Sequence, residues 1–443
     1  MSEPQQGILR RPVIFATRVL GIERDELVAV AWSFVYFFCI MSGYFMLRSI
    51  RETMAIISGV QNIPFLFSGT FVLMLLATPV FGWIASRYPR RTFLPWVYYF
   101  FVANILIFFA VFSYALANDF SIVWTSRVFF VWLSVFNLFV VSVFWSFMAD
   151  IYTKEQSRRL FGVITAGGSL GALFGPIVTS VLVIPLGFQN ILPISATFLL
   201  FSAFCVYQLR DWVRSRNNSE NSPAESQFDK AIGGHALAGL TLVLKNRYFI
   251  VIATALLCAN FLGGAMYLYM AQMISVTFEG ADRQTQVFAN MDAAINGLSF
   301  VGQLLIVKHS VKKLGIGWTL TLLPMLSIVG FSILALNPTF AVIAAFHVIR
   351  RALGFGFSKP TTDMLYSVVS PEAKYKAKNF IETTVYRGWD VVSSFGVRAL
   401  GGIGLSGVAL VCVPVAFIWM LLVRWIGDEY SRRDDAMNAS APA

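Results

Sequence analysis

Residues 44–56 read YFMLRSIRETMAI and place Arg48, Arg51 and Glu52 at the end of a long apolar run. The spacing i, i+3, i+4 puts all three on one helical face with Tyr44. An arginine there can grip a phosphate or carboxylate at two points, and a carboxylate can neutralise it or carry a proton. Related residues recur inside other apolar runs: Arg127; Asp292; His347, Arg350, Arg351, Lys359 and Asp363; and Glu382, Arg387, Asp390 and Arg398. A charge at the centre of a bilayer costs about 3 kcal/mol or more, so the set is expensive unless it lines a polar path between helices. For Arg48, Arg51 and Glu52 the alternative is snorkelling to the outer headgroups with Arg48 and Glu52 paired. Bases slightly outnumber acids, which favours an anionic substrate. Arg48, Arg51, Arg350, Arg351 and Arg387 are the candidates to hold it. Tyr44 and Tyr386, with Tyr267 and Trp389, are placed to stack a ring. Glu52, Asp292, Asp363, Glu382 and Asp390 are the candidates for coupling, by titrating protons or by pairing with those bases when the site is empty.

The elements that position these residues must be membrane helices. The chain has 443 residues, 57% hydrophobic and only 13% charged, whereas a soluble domain has about a quarter charged. Core size does not explain this, because soluble cores stop growing near roughly 250–300 residues. The net charge of +11 lies in short clusters between apolar runs, which fits membrane topology and not a nucleic-acid footprint. Cys39, Cys205, Cys258 and Cys412 all lie in apolar runs and read as small buried residues, with no metal-ligand spacing. No metal or cofactor is expected. The chain has no G-x-x-x-x-G-K-[ST] loop and no HExxH, so ATP hydrolysis and metalloprotease chemistry are not expected either. Residues 1–25 lack a short apolar core with a cleavage site, so the first membrane helix would itself direct insertion.

A spanning helix needs about 20 apolar residues. Twelve such stretches are expected, at 27–50, 63–86, 92–117, 122–149, 159–183, 189–209, 247–273, 285–307, 315–336, 339–368, 378–400 and 403–426. Alternate loops are rich in Lys and Arg, including Arg87, Arg90 and Arg91, then Lys154, Arg158 and Arg159, then Lys374, Lys376 and Lys378. Positive loops stay cytoplasmic, so both termini are expected in the cytoplasm. The domains expected are a cytoplasmic segment 1–25, a six-helix bundle 26–210, a linker 211–246, a second six-helix bundle 247–427 and a tail 428–443. FCIMSGYFML in span one echoes NFLGGAMYLY in span seven, a weak internal repeat that fits a transporter of two halves. GFGFSKP at 354–360 is expected to interrupt helix ten, where unwound backbone can line a cavity.

Residues 82–91, GWIASRYPRR, resemble the G-x-x-x-D-R-x-G-R-R loop of the major facilitator superfamily through Gly82, Arg87, Arg90 and Arg91. Ser86 and Pro89 depart from that pattern. The resemblance implies a cytoplasmic gate of Arg87, Arg90 and Arg91 with Asp150; an ordinary positive-inside loop is the alternative. In GVITAGGSLGALFGP, Gly162, Gly171, Gly175 and Pro176 are similar to the fifth-helix pattern of antiporters in that superfamily, although Thr179 and Ser180 replace its last glycines. These small residues would also serve helix packing alone.

LRSIRETM is similar to the L-R-S-[ML]-K-D-[TS]-L segment of the ATP/ADP translocase family, with Arg51 and Glu52 in place of the K-D pair. FWSFMADIYTKEQSRRLFG and KAKNF look similar to that family too. The resemblance implies a role for Arg51 in transport, while arginine differs from lysine in geometry and hydration.

The fold class read from the sequence is an all-α membrane protein of twelve transmembrane helices in two six-helix halves. The function expected is secondary active transport of a small anionic, nucleotide-like or other phosphate- or carboxylate-bearing solute across a bacterial inner membrane by alternating access. The alternatives are a proton-coupled exporter of an amphiphilic compound and a non-transporting scaffold or sensor. The partners expected are the lipid bilayer, the solute and protons, with no nucleic acid, for a monomer.

Overall fold

The computed structural model describes residues 22–23, 25–87, 90–217, 242–305, 307–369, 377–378, 380–381 and 385–440. Glu382, most of the expected linker, and both chain ends lie outside the described residues. So do the surroundings of Gly82 and the side chains of Arg90 and Arg91. No strand occurs among the described residues. Hydrocarbon supplies no water to bond backbone N–H and C=O groups, and a helix satisfies both within one segment.

The helices are α1 (Leu27–Ile57), α2 (Ile63–Arg87), α3 (Arg90–Ala117), α4 (Val123–Ile151), α5 (Lys154–Leu186), α6 (Phe188–Asn217) and α7 (Arg247–Thr277). They continue with α8 (Ala281–Leu305), α9 (Val307–Leu336), α10 (Phe340–Leu353), α11 (Lys359–Met364), α12 (Tyr386–Ala399) and α13 (Gly404–Ser440). Ten stretches among the described residues are long and apolar enough to cross a bilayer, the last of them running over Tyr386–Met437. Helix α8 is long enough at 25 residues but is not one of the ten. Asp282, Arg283, Gln284, Gln286, Asn290 and Asp292 make its first half polar.

Local sequence explains where the helices stop. PLGFQN breaks α5 from α6 because Gly187 takes φ 84°, and its N–H closes the last turn on the Val183 carbonyl. Helix α5 opens with a capping box in which Thr153 and Gln156 bond each other's backbone N–H. The expected break at GFGFSKP takes a different form. The helix widens into a π turn at Gly354–Ser358 and resumes as α11 without unwinding. Ser299 Oγ and Gln303 Nε2 of α8 donate to the Ala352 and Phe355 carbonyls there. A Cβ on Gly356 would lie 2.8 Å from the Ser299 carbonyl oxygen, so glycine permits this approach.

The chain forms two compact units that interleave in sequence. Unit 1 takes residues 1–54, 73–229 and 281–293; unit 2 takes 55–72, 230–280 and 294–443. The first half of α2 thus groups with later helices, and the first turns of α8 group with earlier ones.

In unit 1, α1 and α5 touch backbone to backbone. Cβ atoms on Gly167, Gly171 and Gly175 would lie 2.4, 2.3 and 2.5 Å from the carbonyl oxygens of Phe34, Phe38 and Ser42. Gly171 and Gly175 therefore pack as expected, with Pro176 buried beside them. Gly162 does not, having nothing within 4 Å, and Gly167 takes the third place in the seam. An aromatic core fills the same unit. The Tyr36 and Tyr98 hydroxyls bond each other, and Phe144 stacks on Phe37 at 4.3 Å. In unit 2, α9 and α13 meet at Gly317 and Gly427, where a Cβ on Gly427 would fall 2.2 Å from the Gly317 Cα. Phe65 and Phe67 of α2 pack on Phe395 of α12 and Tyr267 of α7.

Candidate functional site

The charged residues within the apolar helices fall into separate groups. In unit 1, the end of α1 carries a buried quartet. Arg51 donates to the Glu52 carboxylate at 2.6 Å. Arg48 lies 4.0 Å from Glu52 and 3.4 Å from the Asp292 carboxylate on α8. The Arg48, Glu52 and Asp292 side chains are all under 10% exposed, at 9, 5 and 7%. Arg51 also reaches Ser134 Oγ at 3.4 Å and lies over the Phe130 ring at 4.8 Å. Arg48 is turned inward to a carboxylate of α8, which differs from the snorkelling alternative. Tyr44, one turn earlier, packs against Phe45.

Further polar contacts tie the first turns of α8 to the same unit. Thr53 and Thr285 share a hydrogen bond at 2.8 Å. Ser180 bonds Asn290 at 2.5 Å, and Gln286 donates to the Ser180 carbonyl at 2.9 Å. Asp282 accepts from the Phe188 N–H at 2.7 Å. Helix α8 is polar because these bonds replace contact with lipid. Two arginines face two carboxylates, so the quartet is formally neutral.

Unit 2 is different. Arg350 donates to the Ala259 carbonyl of α7 at 3.0 Å, and its guanidinium lies 3.7 Å from where a Gly263 Cβ would be. The Tyr386 hydroxyl lies within electrostatic reach of Asp390, Arg387, Arg351 and Arg350. Arg387 is 4.0 Å from Asp390, and Arg351 lies over Phe355 at 5.4 Å. Among the described residues Arg387 has a carboxylate partner in Asp390, whereas Arg350 has a backbone carbonyl and no carboxylate. The structure thus brings together Arg350, Arg351, Arg387, Tyr386 and Asp390. It groups Arg48, Arg51, Glu52 and Asp292 elsewhere.

Asp363 belongs to neither group. It pairs with Lys378 at 2.7 Å and Lys359 at 3.3 Å, about 20 Å along the helix from Arg350 at 1.5 Å per residue. Its role in coupling is not supported by its position: two lysines already hold a half-exposed carboxylate there. Arg87 lies over the Trp83 ring at 5.5 Å, and Asp150 is exposed at the end of α4. One functional-looking residue had no signal in the sequence. Glu26, 1% exposed before α1, accepts from Gln156 and Arg159 of α5, each at 2.8 Å. One of three neighbouring acids, with Glu23 and Asp25 beside it, gives no hint of a partner some 130 residues away.

A groove of about 560 Å³ in unit 1 is lined by Phe34, Phe38, Leu170, Phe198 and Phe201. It presents no charged group, so it suits acyl chains rather than an ion.

The profile of the Major Facilitator Superfamily matches residues 32–386. The "ADP,ATP carrier protein 2" of Chlamydia pneumoniae is 23% identical over 91% of this chain and 89% of its own length. Among solved structures, the nucleoside transporter NupG superposes with a TM-score of 0.60 at 14% identity, covering 91% of this chain and 98% of that one. A bacterial homologue of the iron transporter ferroportin reaches 0.62 at 12% identity, with 92% and 98% covered.

Proposed function

The chain belongs to the Major Facilitator Superfamily, and from that premise we propose that it is a secondary active transporter exchanging a small anionic solute across a bacterial inner membrane by alternating access. It is a multi-pass membrane transporter and not an enzyme. Both termini face the cytoplasm in this reading, because the Lys- and Arg-rich loops alternate. The observation that carries the anionic solute is Arg350, buried among apolar helices with a backbone carbonyl and no carboxylate as its partner among the described residues. Such charge is costly among apolar helices unless a ligand brings the counter-charge. The name of the Chlamydia relative, an ADP,ATP carrier, supports the same class.

The neutral quartet of Arg48, Arg51, Glu52 and Asp292 serves coupling in this reading. Each base already has an acid, so the quartet has no charge left over for an anion, and Arg48 and Arg51 leave the list of primary anion ligands. The glycine seam of α1 and α5 gives no independent support to an exporter, because close packing on the carbonyls of Phe34, Phe38 and Ser42 accounts for it.

Proteoliposomes containing the purified protein test the reading. Preloaded phosphate- or carboxylate-bearing solutes should drive counterflow of the same labelled solutes, and Arg350→Gln should abolish it. Counterflow of neutral nucleosides alone would overturn the anionic assignment.

A further inference from the structure

We infer that Asn260 of α7 and Trp389 of α12 complete, with Arg350 of α10, a donor-only subsite for one oxyanion group of the transported solute. The inference rests on the anionic reading above. Three observations carry it.

The first is register. The Gly264 Cβ position lies 3.3 Å from Ser393 Oγ, and Arg350, which meets α7 about one turn earlier at Ala259, is within electrostatic reach of Tyr386 at the start of α12. Contacts thus advance from 259 to 264 on α7 and from 386 to 393 on α12, so the two helices run parallel. Asn260 and Trp389 are each four residues before the Gly264–Ser393 contact. Residues four apart share a helical face, so both lie on the facing surfaces, one turn back and at one level.

The second is the position of Arg350. Its guanidinium meets α7 at Ala259 and Gly263, which bracket Asn260 at that level. Glycine at 263 leaves room for it.

The third is chemistry. Arg350 Nε, Asn260 Nδ2 and Trp389 Nε1 are buried and have no hydrogen-bond partner among the described residues. All three are donors. Buried donors without acceptors are rare in folded proteins. Three of them at one level, from three helices, fit an oxyanion, which offers acceptors and no donor. The phosphoryl and carboxyl groups share this chemistry.

Purified full-length protein in detergent, titrated with inorganic phosphate and with malate and read by thermal shift, tests the inference. Both anions are named so that a phosphoryl source can be told from a carboxyl one: the better-matched ion stabilises at the lower concentration. Trp389→Phe keeps the ring and removes only the indole N–H; Asn260→Ala removes the amide on another helix. Each should raise the stabilising concentration about tenfold, the loss expected for one donor to a charged acceptor. Melting without anion should stay unchanged. Wild-type midpoints in both variants, with Arg350→Gln losing the response, would overturn the subsite and leave the anionic reading intact. An unchanged response in Arg350→Gln, or no stabilisation of the wild type by either ion, would overturn both.

Discussion

In unit 1 two arginines meet two carboxylates, and in unit 2 Arg350 meets a backbone carbonyl and no carboxylate among the described residues. Both groups sit where hydrocarbon makes charge expensive, and they solve the problem differently. The first is closed in charge: Arg48, Arg51, Glu52 and Asp292 neutralise one another and tie α8 to α1. The second is open, with buried donors that nothing described accepts from. A closed set stabilises the protein and resists change. An open set waits for a ligand and is less stable without it. The same residue type therefore carries opposite expectations in the two units.

The largest effect should come from breaking the closed set. Asp292→Asn or Arg48→Gln leaves an uncompensated buried charge and should cost about 3–5 kcal/mol. The double variant Arg48→Leu with Asp292→Leu should recover most of that. Denaturation in detergent measures all three, and single losses under about 1 kcal/mol that simply add would break the comparison. A neutral lesion in the same unit sharpens it. Gly171→Ala pushes a Cβ against the Phe38 carbonyl and should cost about 1–3 kcal/mol. Gly162→Ala meets open space and should stay within about 0.5 kcal/mol. Equal losses at the two glycines would mean that α1 and α5 do not meet along this seam. The smallest effect should follow Asp363→Asn. Its carboxylate is 38% exposed between Lys359 and Lys378, so the loss should stay under about 1 kcal/mol. A larger loss would place Asp363 with the closed set.

Much of the fold was legible. The expected spans coincide with helices to within a few residues at most ends, because a 20-residue apolar run has few other solutions in lipid. The misfits have physical causes. Helix α13 extends to Ser440, well past the expected end at 426, on amphipathic residues such as Glu429 and Arg433, which pair at 2.9 Å. Helix α8 escapes a hydropathy criterion because its polar residues bond to α1, α5 and α6. The site was only half legible. Spacing placed Arg48, Arg51 and Glu52 on one face, but it carries no information about Asp292, some 240 residues later. Asp292 was one of five acids expected to pair with the bases, and nothing in the spacing singled it out for Arg48; Asp390, another of them, lies by Arg387. Trp389 was read for its ring, and only the register of α7 against α12 directs attention to its N–H.

The account turns on whether charge in unit 2 is uncompensated until an anion binds. Arg350→Gln tests this most directly, in one thermal-shift experiment with and without phosphate. Removing an excess buried cation should leave the melting temperature of the anion-free protein equal to wild type or higher, and should erase the stabilisation by phosphate. A fall in anion-free stability as steep as that of Asp292→Asn, with the phosphate response retained, would show that Arg350 belongs to a closed structural set and would contradict the account.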